Sequence, residues 1–181
     1  MASPTTPSDV IAFWKDAGPD AWFTKDAAFD GRFREAFLDD HFAAARRDLD
    51  GWTENAEGML ALMILLDQFP RNCFRGTGHM YATDPLALSF ARIADTRGDD
   101  ARIDPALRVF LYLPYSHSEV LADQERAVEL NQRIGAPYLE HAVGHRDVVA
   151  RFGRFPHRNA LLGRETTAEE RAFLADGGFA G

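Results

Sequence analysis

The chain has 181 residues, 46% of them hydrophobic and 12% aromatic, and a formal net charge of -8. That length suits one domain spanning residues 1–181, able to bury roughly 70% of its unfolded surface, and 14 Phe exclude an intrinsically disordered chain. The acidic balance argues against nucleic-acid and membrane-surface partners, which demand a basic footprint, and a lone Cys73 excludes an intramolecular disulfide and a cysteine-based zinc site.

The start, Met1 to Pro7, has neither a cationic opening nor an apolar run, so no secretory signal is expected and the cytoplasm is the expected location. The longest apolar run, Met59 to Leu66, is eight residues, against the roughly 20 that a spanning helix needs.

In chain order, Ser8 is the expected N-cap of a helix carrying Val10, Ile11, Phe13 and Trp14, with Gly18-Pro19 as its stop. Phe29, Phe33 and Phe37, then Ala44 and Leu49, repeat with a helical period. Thr53 to Phe69 reads as a helix buried on all sides, which Pro70 ends or turns. Asp84-Pro85 and Asp104-Pro105 each read as an N-cap followed by proline at the first helical position. Ser116-His-Ser-Glu119 has the capping-box pattern ahead of a helix through Ile134, closed by Gly135. Tyr138 to about Phe152 forms another helix, and Thr166-x-x-Glu169 opens a short last one that Gly177-Gly178 ends. No useful stretch alternates apolar and polar residues, so the expected class is all-α, with antiparallel helical hairpins in a bundle or superhelix.

Three constellations carry the chemistry. Arg151-Phe-Gly-Arg154-Phe-Pro-His157-Arg158-Asn159 gathers three guanidiniums and an imidazole, in an island where five Arg between Gly144 and Arg164 face one acid, Asp147. Asp67-Gln68-Phe-Pro-Arg71-Asn72 echoes it. These residues either grip an anion through bidentate forks or lock helices together through ion pairs with Asp67, Glu119 and Asp123. The second constellation is His117, Glu119, Asp123 and Gln124, in which the two carboxylates share one helical face and His117 makes an acid/base pair conceivable, against a plain capping role for Glu119. The third, His141 and His145, shares a face as a two-ligand edge would but lacks the glutamate of metalloprotease helices. No metal is assigned, no cofactor is identifiable, and neither a nucleophile elbow nor a phosphate-binding glycine loop is present.

Taken jointly, Leu66-Asp-Gln-Phe-Pro-Arg-Asn72, Phe74-Arg75-Gly76-Thr77, Phe110-Leu-Tyr-Leu-Pro114 with His117-Ser-Glu119, Asp123-Gln124, and Arg151 to Asn159 with Leu162-Gly-Arg164 resemble a bacterial family, the domain of unknown function nine-two-four. Tyr115 follows Pro114 where Leu or Met is common in that family. The resemblance implies a tetratricopeptide-like helical fold and makes the polar motifs one set, without naming a reaction.

The expected function is therefore binding of a small anionic ligand by Asp67, Gln68, Arg71, Asn72, Asp123, Gln124, Arg151, Arg154, His157, Arg158 and Asn159, with His117, Glu119 and His145 at the rim. The alternatives are a hydrolase using His117 or His145 as base, and a scaffold for a protein partner in which the polar cluster is only a lock.

Overall fold

The computed structural model describes residues 4–180, so residues 1–3 of the amino-terminal stretch read against a secretory signal lie outside it. Its described residues form helices and turns, with no strand among them, as the all-α expectation required. No helix among them is long and apolar enough to cross a membrane. The chain divides into two compact units, Met1–Pro114 and Tyr115–Gly181.

The first unit opens with α1 (Pro7–Ala17), capped by Thr6 rather than Ser8, because the Thr6 and Asp9 side chains satisfy each other's backbone N–H groups in a capping box. Gly18 ends it, and Pro19 starts the short α2 (Pro19–Trp22). Asp26 caps α3 (Ala27–Ala45), whose buried stripe is Phe29, Phe33, Phe37, His41 and Ala44. Trp14 packs edge-on to Phe110 at 5.3 Å and obliquely on Phe33, so aromatic rings fill the space between these helices.

Asn55 caps the central helix, and Met59 to Leu66 are all buried. This helix is longer than Pro70 alone allows. It runs as α4 (Ala56–Met63), a π-helical turn (Ile64–Gln68) and α5 (Phe69–Cys73), so Pro70 neither ends it nor begins a loop. Proline lacks an N–H and its ring crowds the carbonyl four residues back, here that of Leu66. The wider π turn absorbs that conflict: Phe69 N–H donates to the Ile64 carbonyl, five residues back. Two carbonyls lose their helical donors, and side chains replace them. Thr83 Oγ1 donates to Leu66 O at 2.5 Å, and His41 Nδ1 donates to Leu65 O at 2.8 Å. Helix α6 (Asp84–Arg97) begins beside this turn with Thr83 as its N-cap, while Asp104 caps only a 3-10 turn, Pro105–Leu107. The division between units falls inside α7 (Val109–Ser116).

In the second unit α8 (Leu121–Asn131) and α9 (Tyr138–Phe152) pack as a hairpin. The expected capping box of Ser116 and Glu119 does not form. Ser118 Oγ instead accepts from Val120 N–H and donates to Asp123 Oδ2 at 2.7 Å, which frees Glu119 for other partners. Gly153, at φ 69°, ends α9 in the left-handed conformation that favours glycine. A 3-10 turn, Pro156–Arg158, leads on to α10 (Ala168–Ala175). Its capping box is made by Thr167 and Glu170, one residue beyond the expected pair.

Candidate functional site

The expected site residues fall in both units, and each group has its own geometry. In the first unit the π turn directs Asp67 inward, where its side chain is only 1% exposed. Gln68 Nε2 donates to Asp67 Oδ2 at 2.6 Å, and Arg71 Nη1 lies 3.1 Å from Asp67 Oδ1. The Arg71 fork closes on Asp84 with bonds of 2.8 and 2.9 Å, the bidentate geometry that guanidinium and carboxylate favour. Burial works against the Arg71 charge, but the neighbouring Asp67 and Asp84 outweigh it and raise its pKa further. Asn72 Nδ2 donates to Asp30 Oδ1 at 2.8 Å, and Arg75 pairs with the same carboxylate. All four expected residues of this unit thus belong to an internal Arg/carboxylate network.

Beside it lies a pair of histidines that sequence reading missed. Because His41 Nδ1 faces a carbonyl, that nitrogen carries the proton and Nε2 is an acceptor. His79 Nε2 is 3.0 Å away and donates to it. The His41 ring stacks on Phe69 at 4.9 Å and is fully buried. Burial pushes its pKa down, His79 adds to the shift, and the Leu65 carbonyl opposes it. The available signal was His41 continuing the Phe29, Phe33, Phe37 stripe, where a polar residue on a buried face requires a partner.

In the second unit three arginines of the cationic island, two of them expected site residues, meet carboxylates. Arg154 forks onto Glu170 at 2.6 and 2.9 Å, and Arg151 reaches Glu169 at 2.9 Å. Arg164, of the same island but not an expected site residue, forks onto Glu119 at 2.7 and 3.0 Å. Glu119 also accepts the Phe155 N–H at 2.8 Å, so it ties the loop before α8 to the turn after α9. Burial alone would raise the Glu119 pKa, yet Arg164 and the Phe155 N–H hold it below the usual carboxylate range. Glu170 is the hub that sequence reading missed. It accepts from Arg154, from Asn159 Nδ2 at 3.2 Å and from Thr167 N–H at 2.7 Å, and Arg154 first, with Thr167 after it, holds its pKa down to about 2 against burial. Gln124 is fully buried, and its Nε2 donates to the carbonyls of Ser116 and Ser118 at 2.8 and 2.5 Å, satisfying the end of α7. Asp123 serves Ser118, as above.

A second cluster gathers about Phe155, which is fully buried. The Arg158 guanidinium lies 4.4 Å over the Phe155 ring, and its Nη1 donates to the His117 carbonyl at 3.0 Å. His145 is 5.6 Å from Phe155 and 6.2 Å from His117, centroid to centroid, and His157 is 5.7 Å from Phe155. His145 Nδ1 donates to the His141 carbonyl at 2.7 Å, so the shared helical face of these residues is used through backbone, and His141 itself is exposed. Burial first, then the neighbouring His117 and Arg158, pushes the His145 pKa down to about 4. Among the described residues no group of three or more His, Cys, Asp or Glu is arranged to hold a metal ion.

The helices and these contacts define an all-α protein with an internal Arg/His/carboxylate network. The chain belongs to a family of bacterial proteins of unknown function, DUF924, which matches it over residues 10–178. It is 64% identical to the protein of unknown function ATU0120 from Agrobacterium tumefaciens, whose solved structure superposes with a TM-score of 0.92 over 94% of this chain and 97% of that one. No curated protein matches it.

Proposed function

We propose that this protein binds a small anionic ligand in its second unit, at the cluster of His117, His145, His157 and Arg158 around Phe155. The observation that carries the reading is the gathering of a guanidinium and three imidazoles about one buried ring, with Arg158 4.4 Å over Phe155, His145 and His157 5.6 and 5.7 Å from it, and His117 6.2 Å from His145. Burial, the largest cause, and then His117 and Arg158 keep the His145 imidazole neutral down to about pH 4. Guanidinium and imidazole groups are directional donors of the kind that phosphate or carboxylate oxygens accept from. On this reading Asp67, Gln68, Arg71 and Asn72 serve as the lock of the first unit. The protein would act in the cytoplasm as one domain, and the α8–α9 hairpin is the element that favours a tetratricopeptide-like stacking.

Titrating inorganic phosphate while following the His145 ring signals by NMR tests the reading. A bound anion raises the His145 pKa from about 4 toward its ordinary 6.5, and Arg158→Met removes that response. A His145 signal that ignores saturating phosphate overturns it.

A second reading has its own support. Arg151, Arg154 and Arg164 are each engaged by Glu169, Glu170 and Glu119, which favours a scaffold that presents its helices to a protein partner and uses the polar residues as a lock. The hydrolytic alternative has less behind it, because an imidazole that stays neutral to about pH 4 is a weak base for removing a proton.

A further inference from the structure

One bond joins two imidazoles in the first unit, apart from both the Arg/carboxylate network and the anion cluster. His41, on the buried stripe of α3, gives its Nδ1 proton to the Leu65 carbonyl and turns Nε2 to His79 Nε2 at 3.0 Å. His79 sits on a 3-10 turn, Gly78–Tyr81, that packs on α5. That turn lies within a strap, residues 74–83, tied near its start by Arg75 to Asp30 at 2.7 Å and at its end by Thr83 to the Leu66 carbonyl. Between those ties the stretch from Arg75 to Thr77 is exposed, and Gly76 there takes φ +77°, in the left-handed region that favours glycine. Phe42, Phe69 and Phe74 wall the His41 ring, with centroids at 5.2, 4.9 and 5.6 Å, and His41 is fully buried.

We propose that this pair is an acid-operated latch, in which His79 pins the strap to His41 and a second added proton releases it. In the neutral pair one proton lies between the facing nitrogens, on His79 Nε2. A first added proton goes to His79 Nδ1 and leaves that bond intact, with the imidazolium the stronger donor. A second has only His41 Nε2 to occupy, and two N–H groups of like charge then face each other inside a box of rings. His79 is the partner that yields, because it is half-buried on a short turn whereas His41 is fully buried on α3. The Leu65 carbonyl keeps its His41 bond, so the π turn persists while the strap leaves. Among the described residues that face His41, His79 is the titratable one. The π turn directs Asp67 to Arg71, α3 aims Asp40 at Thr5, and α5 carries Cys73, its thiol pushed up to about 12 by burial. Arg34 lies 4.9 Å over the Phe74 ring, and Arg75 is held by Asp30.

NMR on the full chain tests the latch, following the ring nitrogens of His41 and His79 together with amide exchange from pH 7 to pH 4, each exchange rate divided by its intrinsic value at that pH. Opening takes up one further proton, so between the ordinary 6.5 and the lower folded value of His41 the open fraction should rise by up to about tenfold per pH unit. The amides of Met80 and Ala82, which donate to the Thr77 and His79 carbonyls, should lose protection by that factor while those of α1 and α4 keep theirs. His41→Phe continues the phenylalanine stripe and takes no proton, so its strap should hold at every pH in the range. His79→Gln keeps a donor for His41 Nε2 without a charge and should move the release to lower pH, which serves if the Phe variant folds poorly. Strap protection that is unchanged while His41 takes its proton overturns the latch, as does a release that keeps its midpoint in both variants. Loss of protection in α1, α4 and the strap together overturns it as well, because acid then unfolds the unit as a whole.

Discussion

Two segments share Phe-Pro followed by Arg-Asn, yet they fold differently. Phe69-Pro70-Arg71-Asn72 lies inside a helix that a π turn carries past the proline. Phe155-Pro156-His157-Arg158-Asn159 begins after a left-handed glycine and forms a 3-10 turn. The asparagine keeps one task in both: Asn72 donates to Asp30, and Asn159 to Glu170. The arginine does not. Arg71 is clamped between Asp67 and Asp84, while Arg158 lies flat on Phe155 and donates to the His117 carbonyl. An inserted histidine and a different approach to the proline suffice to turn one sequence pattern into two environments. The tetrapeptide thus specifies an anchor, and its surroundings decide whether the guanidinium is a brace or a candidate ligand group.

The strongest test of the brace is Arg71→Met, which leaves two inward carboxylates without their cation. Breaking one side of a buried pair costs about 3–5 kcal/mol, and urea unfolding should show a loss of that size. A loss below about 1 kcal/mol, the range of exposed pairs, would make the two environments energetically alike and break the comparison.

Acid comes next, and it separates the buried histidines from the carboxylate. The folded His145 pKa is about 4 against an ordinary 6.5, so as pH falls below 6.5 the unfolded chain takes up a proton that the folded chain refuses. Stability drops across that window by up to about 3 kcal/mol and levels off near the folded value. His41 shifts in the same direction and adds to the loss from the first unit. Glu170 behaves oppositely in origin: its stabilisation is present above 4.5 and disappears as pH falls toward its folded value of about 2. Unfolding measured at pH 7, 5 and 3 should therefore show two losses in succession, and His145→Gln should flatten the upper one. An unchanged upper step in that variant would show that His145 is not the group responsible.

Much of this was legible in the sequence. The helical class, the α9 bounds and the fully buried run from Met59 to Leu66 follow from period and punctuation, which are local properties. The π turn was not legible, because Pro70 reads locally as a stop and only Thr83 and His41, distant in sequence, make its continuation possible. Glu170 and His79 escaped for the same reason: what each does depends on a residue elsewhere, Arg154 in one case and His41 in the other. Glu119 stood between a capping role and a site role, and Ser118 took the capping bond that would have settled it locally. Pairing partners are tertiary facts, whereas residue types at helix ends are local ones, and the expectations divided along that line.

Two smaller substitutions sharpen the comparison further. Thr83→Val keeps the shape but removes the hydroxyl that serves the Leu66 carbonyl, leaving a buried acceptor unsatisfied at a cost of about 1–3 kcal/mol. A neutral result would mean that the π turn tolerates the proline without that bond.

Arg151 lies at the other extreme. Its partner Glu169 is 65% exposed and Arg151 itself 52%, so water screens the pair and already solvates both charges. Its guanidinium also sits 4.6 Å from the Phe152 ring and 5.6 Å from that of Phe173, which adds a weak cation–π contact at the surface. Arg151→Ala should therefore cost no more than about 1 kcal/mol, and most of that should persist in high salt, where ion pairing is screened but ring contact is not. If the cost instead vanishes with salt, the pair with Glu169 carries it. If it rivals that of Arg71→Met, exposure does not distinguish brace from surface contact here, and the division drawn between the arginines fails.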